Sequence, residues 1–292
     1  MKNGPLADSG RPRSQPEQHL TGLIICAICV SEIMVHKTLG FVGGGRITRI
    51  LLEGLTRSGA LPSGVVVSDP DAEALDKLRA RFPLIATAPG NNALAAGQEL
   101  VFLAVHPPVM SVVTAEIRGA VRPEAIVISL APKITLAKLA EGLGGFRRLA
   151  RLMPNAPSLV NAGFNPLAFS PSLTDADKQT VAELCMAWGC CPQVVEEKLE
   201  AFALLTSMGP TYFWFQMYEL QNLALSFGLT TAEAQLGLER LFIGLCKTMA
   251  ASGLRWEEVQ DLVPVKPLSD LEQPLIEAYR SRLTAVMQRI KP

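Results

Sequence analysis

The sequence predicts an α/β fold in which a doubly wound parallel sheet is followed by an all-helical region. Three observations carry that reading. Short, continuous apolar runs alternate with helix-period stretches from Leu39 to about Leu130, the pattern of parallel strands buried on both faces. The first run leads directly into the triplet Gly43-Gly44-Gly45, and a helical pattern begins straight after it. Beyond Glu196 the strand signals stop and long, strongly apolar helical stretches take over.

Composition narrows the classes before any motif is considered. With 292 residues, 49% hydrophobic and 18% charged, the chain has material for about two domains and a large core, which excludes wholesale disorder. Lys+Arg and Asp+Glu each number 27, so no basic excess exists to track a phosphate backbone, and a nucleic-acid partner is not expected. Mean hydropathy is high at +0.26. Part of that excess lies in Leu20–Val35, which is too short to span a bilayer, is interrupted by Ser31 and Glu32, and is followed by no small-residue cleavage site. Met34 precedes the lead-in to the first strand and reads as the true translation start. Residues 1–36 are therefore expected to be an extension outside the folded protein, with no membrane anchoring.

The six cysteines form no framework. Cys26-x-x-Cys29 has no second pair or histidine at a useful distance, and vicinal Cys190-Cys191 reads as buried packing. Three histidines are too few for a histidine metal centre, and no metal site is expected. Reduced thiols fit a cytoplasmic protein.

Each element then follows in order. Leu39–Val42 is the first strand. Gly43-x-Gly45-x-x-Thr48 is a variant of the fingerprint in which a tight turn and a close backbone approach bring a pyrophosphate to a helix N-terminus. Thr48, in place of a smaller third residue, is expected to push the helix slightly off the strand. The second strand, Val65–Val67, ends in Ser68-Asp69, where an acidic side chain meets ribose hydroxyls. Asp69 leans toward NAD, no Arg or Lys stands beside it, and the Ser68 hydroxyl is still able to meet a 2′-phosphate. Val101–Val105 and Ile126–Leu130 are further strands. The unit 37–195 thus reads as a Rossmann-type dinucleotide-binding domain.

Five stretches in order, LGFVGGGR from Leu39, VFLAVHP from Val101, VISLAPKITL from Val127, RLMPNAPSLV from Arg151 and LTSMGPTY from Leu205, are more specific than the glycine loop alone. Through them the chain resembles the pyrroline-5-carboxylate reductase family over nearly everything after Met34. The resemblance implies a Rossmann domain followed by a helical dimerisation domain, and NAD(P)H-dependent reduction of a small cyclic imine in proline biosynthesis. It places Val42, Gly43, Gly44, Gly45, Arg46 and Ile47 on the pyrophosphate, and Ser68, Asp69 and Asn91 at the adenosine end. Ala104, Val105, His106 and Pro107 would then lie along the cofactor, with Leu130 and Ala131 near the nicotinamide. His106, which stands where the family has Lys, reads as a loop residue rather than an acid.

The substrate side departs more. Where the family reads Ser-Gly-Ser-Gly-Pro-Ala-Tyr this chain has Thr206-Ser207-Met208-Gly209-Pro210-Thr211-Tyr212, so a thioether replaces a small hydroxyl. The glycine-rich carboxylate loop becomes Pro264–Asp270, without glycine, leaving Lys266 as a possible point charge. Substrate-side candidates are Asn155, Met208, Gly209 and Lys266. Three functional readings stay open: the cyclic-imine reductase, a reductase of another imine or carbonyl compound on the same scaffold, and a dinucleotide-binding protein that has lost catalysis.

The last unit, 196–292, is expected to be helical, with elements at Thr211–Phe227, Thr231–Ala251 behind a Thr230/Glu233 capping box, and Asp270–Ile290. The first of these is apolar nearly all round, as a helix buried in a homodimer or larger homo-oligomer would be.

Overall fold

The computed structural model describes residues 37–292, and the proposed extension and start at Met34 lie outside those residues. Seven strands form one sheet. In chain order they are β1 (Leu39–Val42), β2 (Val65–Asp69), β3 (Ala86–Pro89), β4 (Leu100–Leu103), β5 (Ile126–Ser129) and β6 (Leu149–Leu152); after the short β7 (Gly163–Phe164) comes β8 (Leu167–Phe169). The spatial order is β3-β2-β1-β4-β5-β6-β8, parallel except for β8 at the edge, while β7 pairs separately with β9 (Gly189–Cys190). The order reverses between β1 and β4, and that switch point opens a crevice at the carboxyl ends of the strands.

The apolar runs form strands because both their faces are covered. All four residues of β1, β4 and β5 are buried. Phe41 and Phe102 stack at 4.8 Å across β1 and β4, and Trp188 meets Phe102 edge-on at 5.8 Å. On that face lies α1 (Arg46–Arg57), whose Leu51 carbonyl accepts the Trp188 indole N–H at 2.8 Å. Gly54 lets the two approach, since a Cβ there would sit 2.7 Å from the Trp188 ring. Next come α2 (Ala72–Arg81), α3 (Asn92–Ala96), α4 (Met110–Ile117), α5 (Leu136–Gly142) and α6 (Asp175–Met186). Met110, Ile117 and Leu139, from α4 and α5, cover the opposite face with Val101 and Val127.

Two expectations are revised here. β4 ends at Leu103, because the Ala104 amide makes its last ladder bond to Val42 at 2.8 Å and the chain then turns over the crevice. The vicinal cysteines are not a buried pair: Cys190 is exposed, Cys191 is half-buried with its thiol donating to the Cys185 carbonyl, and among the described cysteines only Cys185 is buried.

The last strand is β9, and every element after Glu196 is helical. It comprises α7 (Leu199–Phe202), a π turn at Ala203–Ser207, α8 (Pro210–Ser226), α9 (Thr231–Ala251), the unanticipated one-and-a-half-turn α10 (Trp256–Asp261), and α11 (Ser269–Ile290). The Thr230/Glu233 capping box forms as read. Ile290 returns to the sheet, packing with Met153, Ala168, Leu199 and Ala203. Across α8 to α11 only Ala234 is buried. No described helix is long and apolar enough to cross a membrane.

Candidate active site

The glycine loop is shaped by backbone requirements that only glycine meets. Gly43 has φ +110°, and a Cβ on it would lie 2.7 Å from the Ala104 carbonyl oxygen. Gly45, which precedes α1, faces open space on the side where a Cβ would project. No side chain caps α1 and its first turn holds no acid, so its unpaired amides and positive dipole end look into the crevice. The loop thus fits an anion such as a pyrophosphate. Thr48 is corrected from spacer to staple: it is fully buried and its hydroxyl donates to the Gly43 carbonyl, tying helix to loop.

At the end of β2, Asp69 is held by two amides, Gly44 N–H at 2.7 Å and Asp71 N–H at 2.9 Å, one to each carboxylate oxygen. Lone pairs remain on both oxygens for a diol. Ser68 is turned the other way. It is fully buried and its hydroxyl donates to Asn92 Oδ1 at 2.9 Å, so only its backbone faces the loop and no 2′-phosphate reaches its side chain. Asn91 caps α3 by accepting the Leu94 N–H at 3.2 Å, and Gly90 beside it donates to the Asp69 carbonyl at 3.0 Å, which sets Asn91 next to Asp69. Between α1 and α2 a cavity of about 680 Å³ borders Gly44 and Gly45 and is lined by Arg46, Arg49 and Lys77. The expectation of no cation near the adenosine end is therefore modified: none adjoins Asp69 in sequence, but two helices bring them to the same groove.

A second cavity, of about 210 Å³, lies where the strand ends meet the helical region. Ile47 of α1 and the segments Ala104–Pro107, Leu130–Pro132 and Met153–Pro154 supply the sheet side; Ala203, Ser207 and Met208 of the π turn supply the other. Among the described residues its only lining side chains with polar hydrogen-bonding atoms are His106, which is exposed, and Ser207, and no Arg or Lys lines it. Met208 is thus placed on the cavity as the sequence suggested. Lys266 is not: its whole loop is exposed and does not line the cavity. Asn155 also moves from substrate contact to support. It is buried, its Oδ1 accepts the Phe164 N–H at 3.1 Å and its Nδ2 donates to the Thr206 carbonyl at 3.3 Å.

The π turn is marked by its hydrogen bonding: Met208 N–H donates to the Ala203 carbonyl at 3.0 Å, five residues back. Carbonyls released from regular pairing are taken up by side chains: Leu204 accepts from the Tyr212 hydroxyl at 2.7 Å, and Thr206 from Asn155. Gly209 is required because a Cβ there would collide with the Leu205 carbonyl.

Sequence reading missed the group that holds the Leu130–Lys133 loop in place. Arg151, in the middle of β6, is fully buried and pairs with Glu200 and, at 3.0 Å, with Glu196. The same carboxylates accept the Lys133 N–H at 3.0 Å and the Leu136 N–H at 2.7 Å. A cation between two carboxylates thereby joins the loop beside the small cavity to the start of the helical region. The signal was present in LARL, a charged residue inside an otherwise apolar strand.

Comparison with known proteins agrees with this geometry. Residues 38–133 match a family described as NADP oxidoreductase coenzyme F420-dependent. Over 230 residues the chain is 27% identical to pyrroline-5-carboxylate reductase of Escherichia coli, covering 78% of this chain and 85% of that protein. The solved pyrroline-5-carboxylate reductase from Coxiella burnetii is also 27% identical, with a TM-score of 0.65 over 87% of this chain and 97% of that one. Over most of its length the chain is similar to the pyrroline-5-carboxylate reductases. The fold is shared with a further protein of that name, from Plasmodium falciparum and solved with NADP bound: 19% identity, TM-score 0.73, 88% and 98% coverage. The relatives' similarity spans both the sheet and the helical region, so the π turn and its cavity fall inside it.

Proposed function

We propose that this chain is an NAD(P)H-dependent reductase of a cyclic imine, acting on a C=N bond as its named relatives, the pyrroline-5-carboxylate reductases, imply. The observation that carries the reading is the placement of the 210 Å³ cavity at the switch point, between the strand-end loops and the π turn. NAD(P)H, when bound, would supply a hydride, which carries both electrons, to the imine carbon. The chain's part is to bind and orient. Gly43, Gly45 and the open end of α1 receive the pyrophosphate, Asp69 the ribose, and Ala104–Pro107 with Leu130–Ala131 form the wall along which a nicotinamide would lie. The apolar lining excludes water from the reacting carbon. A protonated imine is already electrophilic, and its nitrogen keeps its proton as the C=N bond becomes C–N, so no strong side-chain acid is required. That fits a cavity whose only titratable lining group is the exposed His106.

One observation favours a substrate other than pyrroline-5-carboxylate itself: no cationic side chain among the described residues lines the cavity, and the Pro264–Asp270 stretch that stands for the carboxylate loop has no glycine. The test is NAD(P)H oxidation with pyrroline-5-carboxylate and with unsubstituted 1-pyrroline. Turnover of either supports imine reduction, and their ratio decides the need for the carboxylate. Turnover of no imine, with dinucleotide binding intact, would return the chain to the binding-protein reading.

The reading extends to assembly and location. The exposed apolar faces of α8 and α9, including Phe215, Phe227, Leu236 and Met249, are those of helices that pair with a second copy of the chain, as a cytoplasmic homodimer.

A further inference from the structure

Ser207 Oγ is buried at the cavity yet has no hydrogen-bond partner among the described residues. A buried hydroxyl left unpaired destabilises the fold, and such groups persist where a ligand completes them. Its position is tightly determined. The Met208–Ala203 π bond, the Tyr212 hydroxyl on Leu204 and the Asn155 amide on Thr206 hold the turn on both sides of it. Every other wall of the cavity comes from the sheet's strand-end loops and the start of α1, and those walls are apolar or prolyl apart from His106. Ser207 also stands at the second position of the Ser-Gly-Ser-Gly-Pro-Ala-Tyr pattern, while Met208 removes the hydroxyl at the third, so the chain's one hydroxyl on this wall is displaced by a residue.

We propose that Ser207 anchors the substrate nitrogen: its Oγ accepts the N–H of the protonated cyclic imine. The inference rests on the imine-reductase reading above and deepens it by naming the contact. A small cyclic imine presents C–H surface all round and a single N–H, which matches an apolar cavity carrying one unpaired acceptor on the wall facing the cofactor loops. Because the nitrogen keeps its proton through reduction, the same contact serves the product amine.

The experiment uses the full chain and its Ser207→Ala and Ser207→Thr variants. For whichever cyclic imine the wild type reduces, Ser207→Ala is expected to raise KM about tenfold or more, the scale of a hydrogen bond to a charged group. NAD(P)H affinity should stay unchanged and the thermal midpoint should hold or rise, because an unpaired polar atom has been removed. Titration of pyrrolidine in the presence of the oxidised dinucleotide should show the same loss without relying on turnover. Ser207→Thr, which keeps the hydroxyl, should recover most of the KM. An unchanged KM and pyrrolidine affinity in Ser207→Ala would overturn the proposal, as would a fall in midpoint with parallel loss of dinucleotide binding, which marks a structural role. Failure of the wild type to reduce any imine while it binds dinucleotide would instead sink the functional reading on which this one stands.

Discussion

The sheet region and the helical region solve opposite problems with similar proportions of apolar residue. In the first, β1, β4 and β5 are fully covered, Phe41, Phe102 and Trp188 interlock, and the few exposed apolar side chains are scattered. In the second, α8 to α11 bury one side chain, and Phe227 is 81% exposed. A parallel sheet with helices on both faces closes its own core, whereas an apolar helix pair needs another body to lie against. The difference is one of cover: the sheet region closes its own core while the helical region leaves its apolar side chains exposed, and the two halves meet at the π turn and the Arg151 cluster.

That junction is where the comparison breaks most easily. Arg151→Leu would leave Glu200 and Glu196 without their buried cation, and removal of one partner from such a cluster costs about 3–5 kcal/mol. Urea unfolding should show that loss, and dinucleotide affinity should fall with it because the Leu130–Lys133 loop is released. A variant as stable as wild type would mean that the junction does not couple the halves.

A smaller effect separates the halves by concentration. If a second copy covers α8 and α9, the thermal midpoint should climb by several degrees across a hundredfold rise in protein concentration, by mass action. Phe215→Glu should abolish the climb and leave dinucleotide binding in place. A midpoint flat with concentration in the wild type would show that the helical region stands alone.

The smallest effect is acid sensitivity, carried mainly by carboxylates of the sheet region. Glu53 is held below the usual carboxylate range chiefly by its hydrogen bond to Arg81. For Glu99 and Asp177 burial pushes the other way, but Lys37 with Thr38, and Thr174 with Arg148, outweigh it. Each folded-state pKa is therefore depressed, the unfolded chain takes up protons first, and the stabilisation is complete above the ordinary carboxylate value and lost as pH falls through the lower folded one. Thermal midpoints measured downward from pH 6 should hold until about pH 4.5 and decline below it. Glu99→Gln should flatten part of that decline. An identical decline in the variant would assign the sensitivity elsewhere.

Much of this was legible in advance because it depends on local rules. Continuous apolar runs marked β1, β2, β4 and β5, glycines marked the loop before α1, and a capping box marked α9. β3 and β6 were less visible, since Ala86–Pro89 carries little β-branched character and Leu149–Leu152 contains an arginine. The cofactor loops lie at strand ends and followed from topology. The substrate side did not: of the residues named by position, Asn155 supports the turn, Gly209 leaves no room for a side chain, and Lys266 does not line the cavity.

By itself, then, the sequence determined the glycine loop between β1 and α1, the parallel strands that lead to the switch point and the long helices that follow, because hydrophobic period and glycine conformation act over a few neighbouring residues. Only the tertiary structure decided what Ser68 and Thr48 do, that Arg151 is paired twice inside the core, and that Ser207 rather than Asn155 opens on the cavity. Hydrogen-bond partners distant in the chain settle such roles: the same serine is a satisfied core group at position 68 and an unpaired one at position 207.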